Sequence, residues 1–197
     1  MEFLIIILLF AAVIGGYVYC YNSLVTAKTK VDEGWSGITV QLKRRHELVP
    51  NLVSAARTAM SHESGILDRI LDARTQALAA LAGGNHEDVN KAEGELTAAL
   101  QGFVGYTEDN PEITATENIR LLQQQLEETE DQIAASRRLF NGNVQAFNSK
   151  VLSIPWNIIA NMKKYETLPM FEVEATEMKM ISQPVNIAAL GMDGEKK

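Results

Sequence analysis

The feature that most constrains this chain is an uninterrupted apolar run near its start. The segment FLIIILLFAAVIGGYVYCY, from Phe3 to Tyr21, contains 19 residues and no charged side chain. At about 1.5 Å per helical residue, such a run is long enough to cross the hydrocarbon core of a bilayer. No basic segment precedes it and no small-residue cleavage site follows before Tyr21, which favours a retained helix over a cleaved signal peptide. We therefore predict a transmembrane anchor over residues 1–21.

The end of this run and the charges behind it predict how the anchor sits in the membrane. Tyr17, Tyr19 and Tyr21 cluster at its C-terminal end, and tyrosine rings favour the headgroup level. No Lys or Arg precedes the run, whereas several follow it: Lys28, Lys30, Lys43, Arg44 and Arg45. The positive-inside rule therefore favours a short outer N-terminus and a bundle on the cytoplasmic side of the inner membrane. Periplasmic or extracellular placement is the alternative.

Composition narrows the broad class further. The chain has 197 residues, enough for one domain with a real hydrophobic core. Its formal net charge of −7 disfavours nucleic acid as a partner, because nucleic-acid binding requires basic surface. The single cysteine, Cys20, can neither form an intrachain disulfide nor complete a multi-cysteine zinc site. We expect one globular unit behind the anchor, with the lipid bilayer as its first partner.

A seven-residue repeat in the second half of the chain predicts a long helix. Apolar or small residues recur in alternating steps of four and three, which is the spacing of a coiled coil. The stripe consists of Ala115, Ile119, Leu122, Leu126, Thr129, Ile133, Ser136, Phe140, Val144, Phe147 and Val151. Thr114 and Glu117 have the spacing of a capping box, and Ile154-Pro155 ends the pattern, because a residue before proline avoids the α conformation. The predicted helix runs from about residue 114 to 152.

A second apolar stripe continues directly from the anchor. Its members are Leu24, Val31, Trp35, Ile38, Leu42, Val49, Leu52 and Ala56. Anchor and first bundle helix are therefore predicted to form one rod. Pro50 lacks an N–H group and falls inside the stripe, so we expect a kink or short break after Val49. The helix should resume to about Met60, before a turn at residues 61–63.

Two shorter helices are predicted between these rods. The first follows the stripe Ile66, Ile70, Ala73, Ala77 and Leu81. It ends at Gly83-Gly84, and Asn85 begins the second helix, which runs to about Asn110. Four helices joined by short polar connections pack most simply as an antiparallel bundle. The predicted fold is all-α: a transmembrane helix (1–21) continuous with an antiparallel four-helix bundle with long coiled-coil-like helices (22–167), then a flexible tail (168–197).

Several groups of residues match, in the same order, those of a known family. They are Tyr21-Asn22-x-Leu24-Val25, Trp35, Gln41-Leu42-Lys43-Arg44-Arg45-His46-x-Leu48-x-Pro50-Asn51-Leu52-Val53, Asn110-Pro111-Glu112, the stretch from Leu122 to Arg138, and Ile154-Pro155-Trp156-Asn157-Ile158-Ile159-Ala160. Over most of residues 1–167 the chain resembles the LemA family. The resemblance implies an N-terminal membrane helix, a cytoplasmic helical bundle and no established catalytic activity. Relatives occur in gene clusters for magnetosome organelles and beside membrane-bound metalloproteases, which implies membrane organisation or quality control.

The sequence carries no motif that is typical of a catalytic, cofactor or metal site. No histidine stands three residues after a glutamate, the pair from which helical bundles build di-iron sites. His46, His62 and His86 are each followed by glutamate, but none begins His-Glu-x-x-His, so no two imidazoles share a helical face. Gly-rich phosphate loops and Gly-x-Ser-x-Gly elbows are also missing. We predict a protein that is not an enzyme and holds neither cofactor nor metal ion.

Arg45 is a candidate structural residue. It falls on the apolar stripe of the first rod, between Leu42 and Val49. We expect it to pair with Glu127 or Glu130 of the long helix and to fix the register of the bundle, as polar core positions do in coiled coils. The alternative is that the basic cluster around Arg45 contacts acidic lipid headgroups or an acidic partner.

The other candidates for structural or interaction roles are aromatic. Trp35 and Trp156 are expected to pack in the core and at a helix end, with a share in a binding pocket as the alternative. The pairs Phe140-Asn141 and Phe147-Asn148 are the family's aromatic-Asn pairs in this chain, and the phenylalanines lack a tyrosine hydroxyl. Their asparagines are candidates to hydrogen-bond across an interface with another subunit. The segment Phe171–Glu174 alternates apolar and acidic residues. It is a candidate to add as a strand to a neighbouring subunit, or to bind there as an extended segment.

These features favour a membrane-anchored, non-enzymatic scaffold. We expect rods perpendicular to the bilayer that associate laterally into a homo-oligomer and organise or shape a membrane region. The alternative is a membrane-tethered sensor or adaptor that recruits a protein partner, such as a membrane protease or a signalling protein. Assembly size separates the two, because a scaffold should form a large defined assembly in detergent and an adaptor a small one.

Overall fold

The computed structural model describes residues 1–60, 64–114 and 116–171, and every regular element in these ranges is helical. In chain order the helices are α1 (Glu2–Ala59), α2 (Ser64–Gly83), α3 (His86–Asp109), α4 (Pro111–Thr114), α5 (Glu117–Leu152) and α6 (Trp156–Met162). α1 and α5 form a long pair, and α2 and α3 form a hairpin whose first helix packs on α1. The all-α prediction is confirmed, with the short helices α4 and α6 added to the four predicted ones.

The anchor and the first bundle helix are one helix of 58 residues. Residues 2–19 of α1 are exposed throughout, whereas a buried stripe begins at Cys20 and Leu24. At the standard helical rise, the bare part is about 27 Å long and the packed part about 60 Å long. Among the described residues, α1 is the one helix long and apolar enough to cross a membrane. The same helix is thus the candidate span and the central stem of the bundle.

Pro50 does not interrupt α1, so of the two predicted outcomes, a kink or a short break after Val49, the break is wrong. Proline lacks the N–H group that would bond to the carbonyl oxygen of His46, one turn earlier. Nε of Arg74 in α2 donates a hydrogen bond of 2.8 Å to that oxygen instead. A side chain from the neighbouring helix therefore satisfies the group that the proline leaves free, and the helix continues to Ala59.

α5 packs antiparallel to α1 in a fixed register. Nζ of Lys150 donates to the Ser23 hydroxyl at 2.9 Å, and Nδ2 of Asn143 donates to the Lys30 carbonyl at 2.7 Å. The two contacts lie seven residues apart on both helices, so the register of α1 against α5 is the same at both contacts. The membrane-proximal part of α1 is therefore supported by the C-terminal half of α5.

The core consists of two apolar clusters along this pair. The proximal cluster, next to the candidate span, includes Cys20, Leu24, Ile38, Phe140, Phe147 and Ile159. The distal cluster, at the other end of the bundle, includes Val49, Leu52, Ile70, Leu96, Phe103 and Ile119. The proximal cluster is built mainly from α1, α5 and α6, whereas the distal cluster also uses α2, α3 and α4.

The end of α2 and both ends of α3 follow the local signals in the sequence. Gly84 has φ of 72°, the left-handed conformation that ends many helices. The side chain of Asn85 accepts a hydrogen bond of 2.9 Å from the N–H group of Glu87 and so caps α3. α3 then ends at Asp109, with Asn110 as its C-cap. These predictions are confirmed.

The predicted capping box at the start of the long helix is wrong. Residues Pro111–Thr114 form the separate helix α4, so Thr114 has helical backbone and cannot adopt the extended conformation of an N-cap. Thr116 takes that position, with φ of −78° and ψ of 115°, and α5 begins at Glu117.

The chain returns along α5 after α6, without regular secondary structure up to Phe171. Phe171 is buried at 4% exposure, and Leu168 is half-buried against the proximal cluster. Leu168 and Phe171, which lie in the segment that we predict to be a flexible tail, therefore pack against the core, whereas Pro169 and Met170 between them are exposed. The rest of the predicted tail, including Glu172–Glu174 of the candidate strand, lies outside the described residues.

Candidate functional site

A layer of buried polar side chains separates the proximal and distal clusters. Arg45 and His46 of α1 and Glu93 of α3 are at most 2% exposed. Nη1 of Arg45 lies 2.9 Å from Oε2 of Glu130 and 3.7 Å from Oε2 of Glu93. Nη2 of Arg45 donates to the Thr97 hydroxyl at 2.7 Å. Nε2 of His46 lies 2.8 Å from Oε1 of Glu93. This polar layer joins α1, α3 and α5.

The predicted pairing of Arg45 with the long helix is present, and the partner is Glu130. Glu127, the other candidate, is exposed, one turn away. Sequence reasoning missed Glu93, although its spacing carried a signal: it lies four residues after Val89 and three before Leu96, on the apolar stripe of α3. Because a buried carboxylate requires a nearby cation or donors, the charge pairs of this layer form only when the three helices are aligned.

Trp35 lies among aromatic rings between α1, α3 and α5. Its ring stacks on His86 with centroids 3.6 Å apart, and it contacts Phe140 and Phe171 at 5.8 and 6.0 Å. Burial, and next the positive charge of Lys28, lower the pKa of His86 from its ordinary value, with Asp32 opposing them. The neutral imidazole is therefore favoured in this stack, and Trp35 is a packing residue.

Two asparagines on α5 hold the returning C-terminal segment. Nδ2 of Asn141 donates to the carbonyl of Phe171 at 2.9 Å, and its Oδ1 accepts from the N–H group of the same residue at 2.7 Å. Asn148 makes the same two bonds, each of 2.8 Å, with Leu168. We call these two side chains the asparagine clasp.

The spacing of the clasp matches the chain that it holds. Seven residues of helix rise about 10.5 Å, and three residues of extended chain cover about 10 Å. Each amide therefore meets the backbone of Leu168 or Phe171 in register, as a neighbouring strand would. Both amides thus bind their own chain, and the expected contact of Asn141 and Asn148 with another subunit stays a prediction. Phe140 and Phe147 are buried beneath the segment, both at 1% exposure.

The predicted interface residues lie at the membrane-proximal end of the bundle. The rings of Tyr17 and Tyr21 are nearly parallel, 6.4 Å apart, and Tyr19 is 67% exposed. Tyr21 is half-buried, with Nζ of Lys163 5.4 Å from its ring centroid. Trp156, the first residue of α6, packs against the proximal cluster. The position of Tyr17, Tyr19 and Tyr21 at the headgroup level stays a prediction.

An open groove lies between α3 and α5, whose Cα atoms stay more than 8 Å apart in the described part of the chain. It has a volume of about 660 Å³. Leu52, Leu100, Phe103 and Leu126 supply its apolar lining, and Glu108 and Glu127 lie exposed along it. A groove of this kind accepts a helix with one apolar face.

Residues 1–60, 64–114 and 116–171 contain no group of three or more His, Cys, Asp or Glu side chains that could hold a metal ion. His46 and His86 belong to the polar layer and the aromatic stack, and His62 lies outside the described residues. Cys20 is buried against the proximal cluster. The described histidines and Cys20 therefore take part in packing and in the polar layer that aligns the helices.

A candidate membrane span continuous with a helical bundle defines the class of membrane-anchored helical-bundle proteins. The LemA family model matches residues 34–186, and this chain belongs to the LemA family. The magnetosome proteins MamQ 2 and MamQ 1 of Paramagnetospirillum magneticum are each 24% identical over 175 residues, covering 77% of this chain and 64% of the relative. Magnetosome protein MamQ of Magnetospirillum gryphiswaldense is 23% identical over 174 residues, with the same coverage. The chain thus spans 64% of the length of these relatives.

Proposed function

We propose that this protein is a membrane-anchored, non-enzymatic scaffold that self-assembles to organise or shape a membrane region. The observation that carries the proposal is the continuity of α1, which is both the candidate span and the stem of the bundle. A continuous helix transmits the position and tilt of the span to the bundle. Copies that meet side by side would therefore impose one geometry on the membrane between them.

The outer face of the α1–α5 pair supports lateral assembly. Val40 of α1 and Leu139 of α5 are 61% and 64% exposed, and Gly37 has open space where a side chain would stand. Exposed apolar side chains beside a small residue allow a second stem to approach closely. The similarity to magnetosome proteins supports a role in membrane organisation. The basic residues behind the span favour the cytoplasmic face of the inner membrane.

The mass and shape of the full-length protein in mild detergent test this proposal. Light scattering combined with negative-stain imaging should show a large, regular assembly. A matched pair of insertions between Tyr19 and Cys20 then tests the rigid joint. About two turns of alanine keep the helix continuous and nearly in phase, whereas the same length of Gly-Ser makes the joint flexible.

The alanine insertion should preserve regular assemblies, and the Gly-Ser insertion should make them irregular while leaving bundle helicity unchanged. A wild-type protein that is a monomer or dimer in detergent and in nanodiscs would overturn the scaffold. Equal regularity of the two insertion variants would show that α1 does not transmit geometry.

The second candidate function is a membrane-tethered adaptor, and the groove between α3 and α5 favours it. The apolar lining and the exposed carboxylates of Glu108 and Glu127 are complementary to a basic amphipathic helix of a protein partner. Such an adaptor would be small in detergent.

Reversing the two carboxylates tests the adaptor. Chemical crosslinking in cells followed by identification of the captured protein should give one membrane protein with a basic amphipathic segment. Glu108→Lys combined with Glu127→Lys should abolish this crosslink, whereas Glu87→Lys combined with Asp88→Lys, at the far end of α3, should preserve it. Retention of the crosslink in the first variant would refute the groove as the binding site.

A further inference from the structure

The end of the bundle next to the candidate span carries large apolar side chains that the fold leaves exposed. They are Leu152 at 71%, Ile154 at 79%, Ile158 at 59% and Met162 at 67%. Ile158 and Met162 lie one turn apart on the same face of α6, while Ile159 and Ala160 on its other face are buried in the proximal cluster. α6 is therefore apolar on both sides, and its outer side has no partner within the described residues. We call the four exposed side chains the apolar base.

The register of α1 against α5 places the apolar base where the bare part of α1 begins. Lys150 bonds to Ser23, and the two helices are antiparallel, so Leu152 is level with Tyr21. Ile154 follows beyond the end of α5. Lys163, just after α6, lies over the ring of Tyr21. The base is thus continuous with the surface of the candidate span.

The charges around the base have the opposite sign to those of the whole chain. Lys150 precedes these residues along the chain and Lys163 and Lys164 follow them; Glu166 is the nearest acidic residue along the chain, whereas the chain as a whole carries −7. Lys163 and Lys164 are exposed. On α1, the first charged residue after the span is Lys28, further from the membrane. An anionic surface is therefore the complementary one.

We propose that the apolar base is a second membrane contact. In this arrangement α6 and the end of α5 lie in the interface of the leaflet from which α1 emerges, with Leu152, Ile154, Ile158 and Met162 among the acyl chains. The lysines bind the headgroups of anionic phospholipids. Interfacial helices combine an apolar face with basic flanks in this way. Two attachment points fix the tilt of the bundle, whether or not copies self-assemble.

Tryptophan fluorescence in reconstituted full-length protein tests the contact. The chain has two tryptophans, so Trp35→Phe leaves Trp156 on α6, and Trp156→Phe leaves Trp35 within the bundle. Trp35 lies about 21 Å beyond Tyr21 along α1. The probes are vesicles of phosphatidylcholine and phosphatidylglycerol, with or without bromine at shallow acyl positions. Bromolipid should quench most of the Trp156 emission and almost none of the Trp35 emission.

Surface variants of the Trp35→Phe protein separate contact from mere proximity. Ile158→Ser combined with Met162→Ser should remove most of the quenching, whereas Leu78→Ser combined with Leu121→Ser, exposed at 37% and 44% and away from the base, should leave it unchanged. Lys163→Gln combined with Lys164→Gln should reduce the quenching in anionic vesicles. Lys43→Gln combined with Arg44→Gln should not. Far-UV circular dichroism verifies that each variant keeps its helicity.

Three results would overturn the proposal. The first is equally weak quenching of Trp156 and Trp35. The second is quenching of Trp156 that the serine replacements do not change. The third is that neither bromolipid nor aqueous iodide quenches Trp156, but that both do so once the protein is diluted in lipid. This result would show that a second copy covers the base. These results do not depend on assembly size, so the scaffold proposal can fail or hold separately.

Discussion

Replacing Arg45 with methionine tests the polar layer most directly. The guanidinium is 1% exposed and lies between the carboxylates of Glu93 and Glu130. Removing one partner of a buried ion pair costs about 3–5 kcal/mol, because the other charge remains buried without compensation. Here that charge is on Glu93, which is 0% exposed and keeps only His46 beside it. We expect Arg45→Met to lower the free energy of unfolding by about this amount.

The two carboxylates should respond differently to substitution. The side chain of Glu130 is 40% exposed, so water screens its charge and Glu130→Gln should cost about 1 kcal/mol or less. Glu93→Gln added to Arg45→Met should restore part of the lost stability, because it removes the uncompensated charge and keeps an amide near His46. A second substitution that stabilises the first is the signature of a coupled charged network.

The assay is denaturant unfolding of the full-length protein in mild detergent, monitored by tryptophan emission and far-UV circular dichroism. Helicity before unfolding should match that of the wild type, since α1, α3 and α5 form from local signals. The size distribution of the extracted assembly should change, because the layer fixes the register of the stem. Leu121→Met, an exposed substitution on α5, is the control and should have little effect.

Three results would count against this reasoning. A loss below about 1 kcal/mol for Arg45→Met would place it in the range of an exposed ion pair and show that the layer carries no buried charge. Additive costs of Arg45→Met and Glu93→Gln would show that the two side chains act independently. Unchanged stability, assembly size and function would remove the register role.

Three further predictions concern the clasp, the stem and pH. Asn148→Leu removes two hydrogen bonds to Leu168, worth about 1 kcal/mol each, so hydrogen-exchange protection at Leu168 should fall roughly 30-fold. Gly34→Ala should destabilise the protein, because its Cβ would lie 3.1 Å from the backbone of α5, whereas Gly37→Ala, in open space, should stabilise it by up to about 1 kcal/mol in denaturant unfolding. Because the pKa of His86 is lowered in the fold, its neutral form is favoured there. Its contribution to stability should be complete above pH 6.5 and decrease as the pH falls below that value in thermal unfolding scans.

Each of these predictions has a control. Asn51→Leu, exposed on α1, should leave exchange at Leu168 unchanged, and unchanged exchange in Asn148→Leu would argue against the clasp. Equal effects of alanine at Gly34 and Gly37 would show that close helix packing does not require glycine. His86→Phe should flatten the pH dependence between neutral and mildly acidic pH, and an unaltered slope would assign it to other groups.

Pro50 and the asparagine clasp show where sequence reasoning succeeds and where it stops. A proline in an apolar helical stripe predicts a break, and the missing hydrogen bond is real. The break is absent, and Arg74, on another helix, bonds to the carbonyl oxygen of His46 that the proline leaves without a backbone donor. In the same way, the sequence offers Asn141 and Asn148 as hydrogen-bonding residues, and the structure pairs them with the backbone of their own C-terminal segment.

The sequence by itself determined the anchor, the four main helices and most of their ends. These depend on charge-free length, on periodicity and on residues such as Gly84 and Asn85, all of which act within a few neighbouring positions. The tertiary structure alone decided that Arg45 pairs with Glu130, that Glu93 is buried, and that the apolar base meets the end of the span. Each of these depends on residues far apart in the chain that come together only after the helices pack in one register.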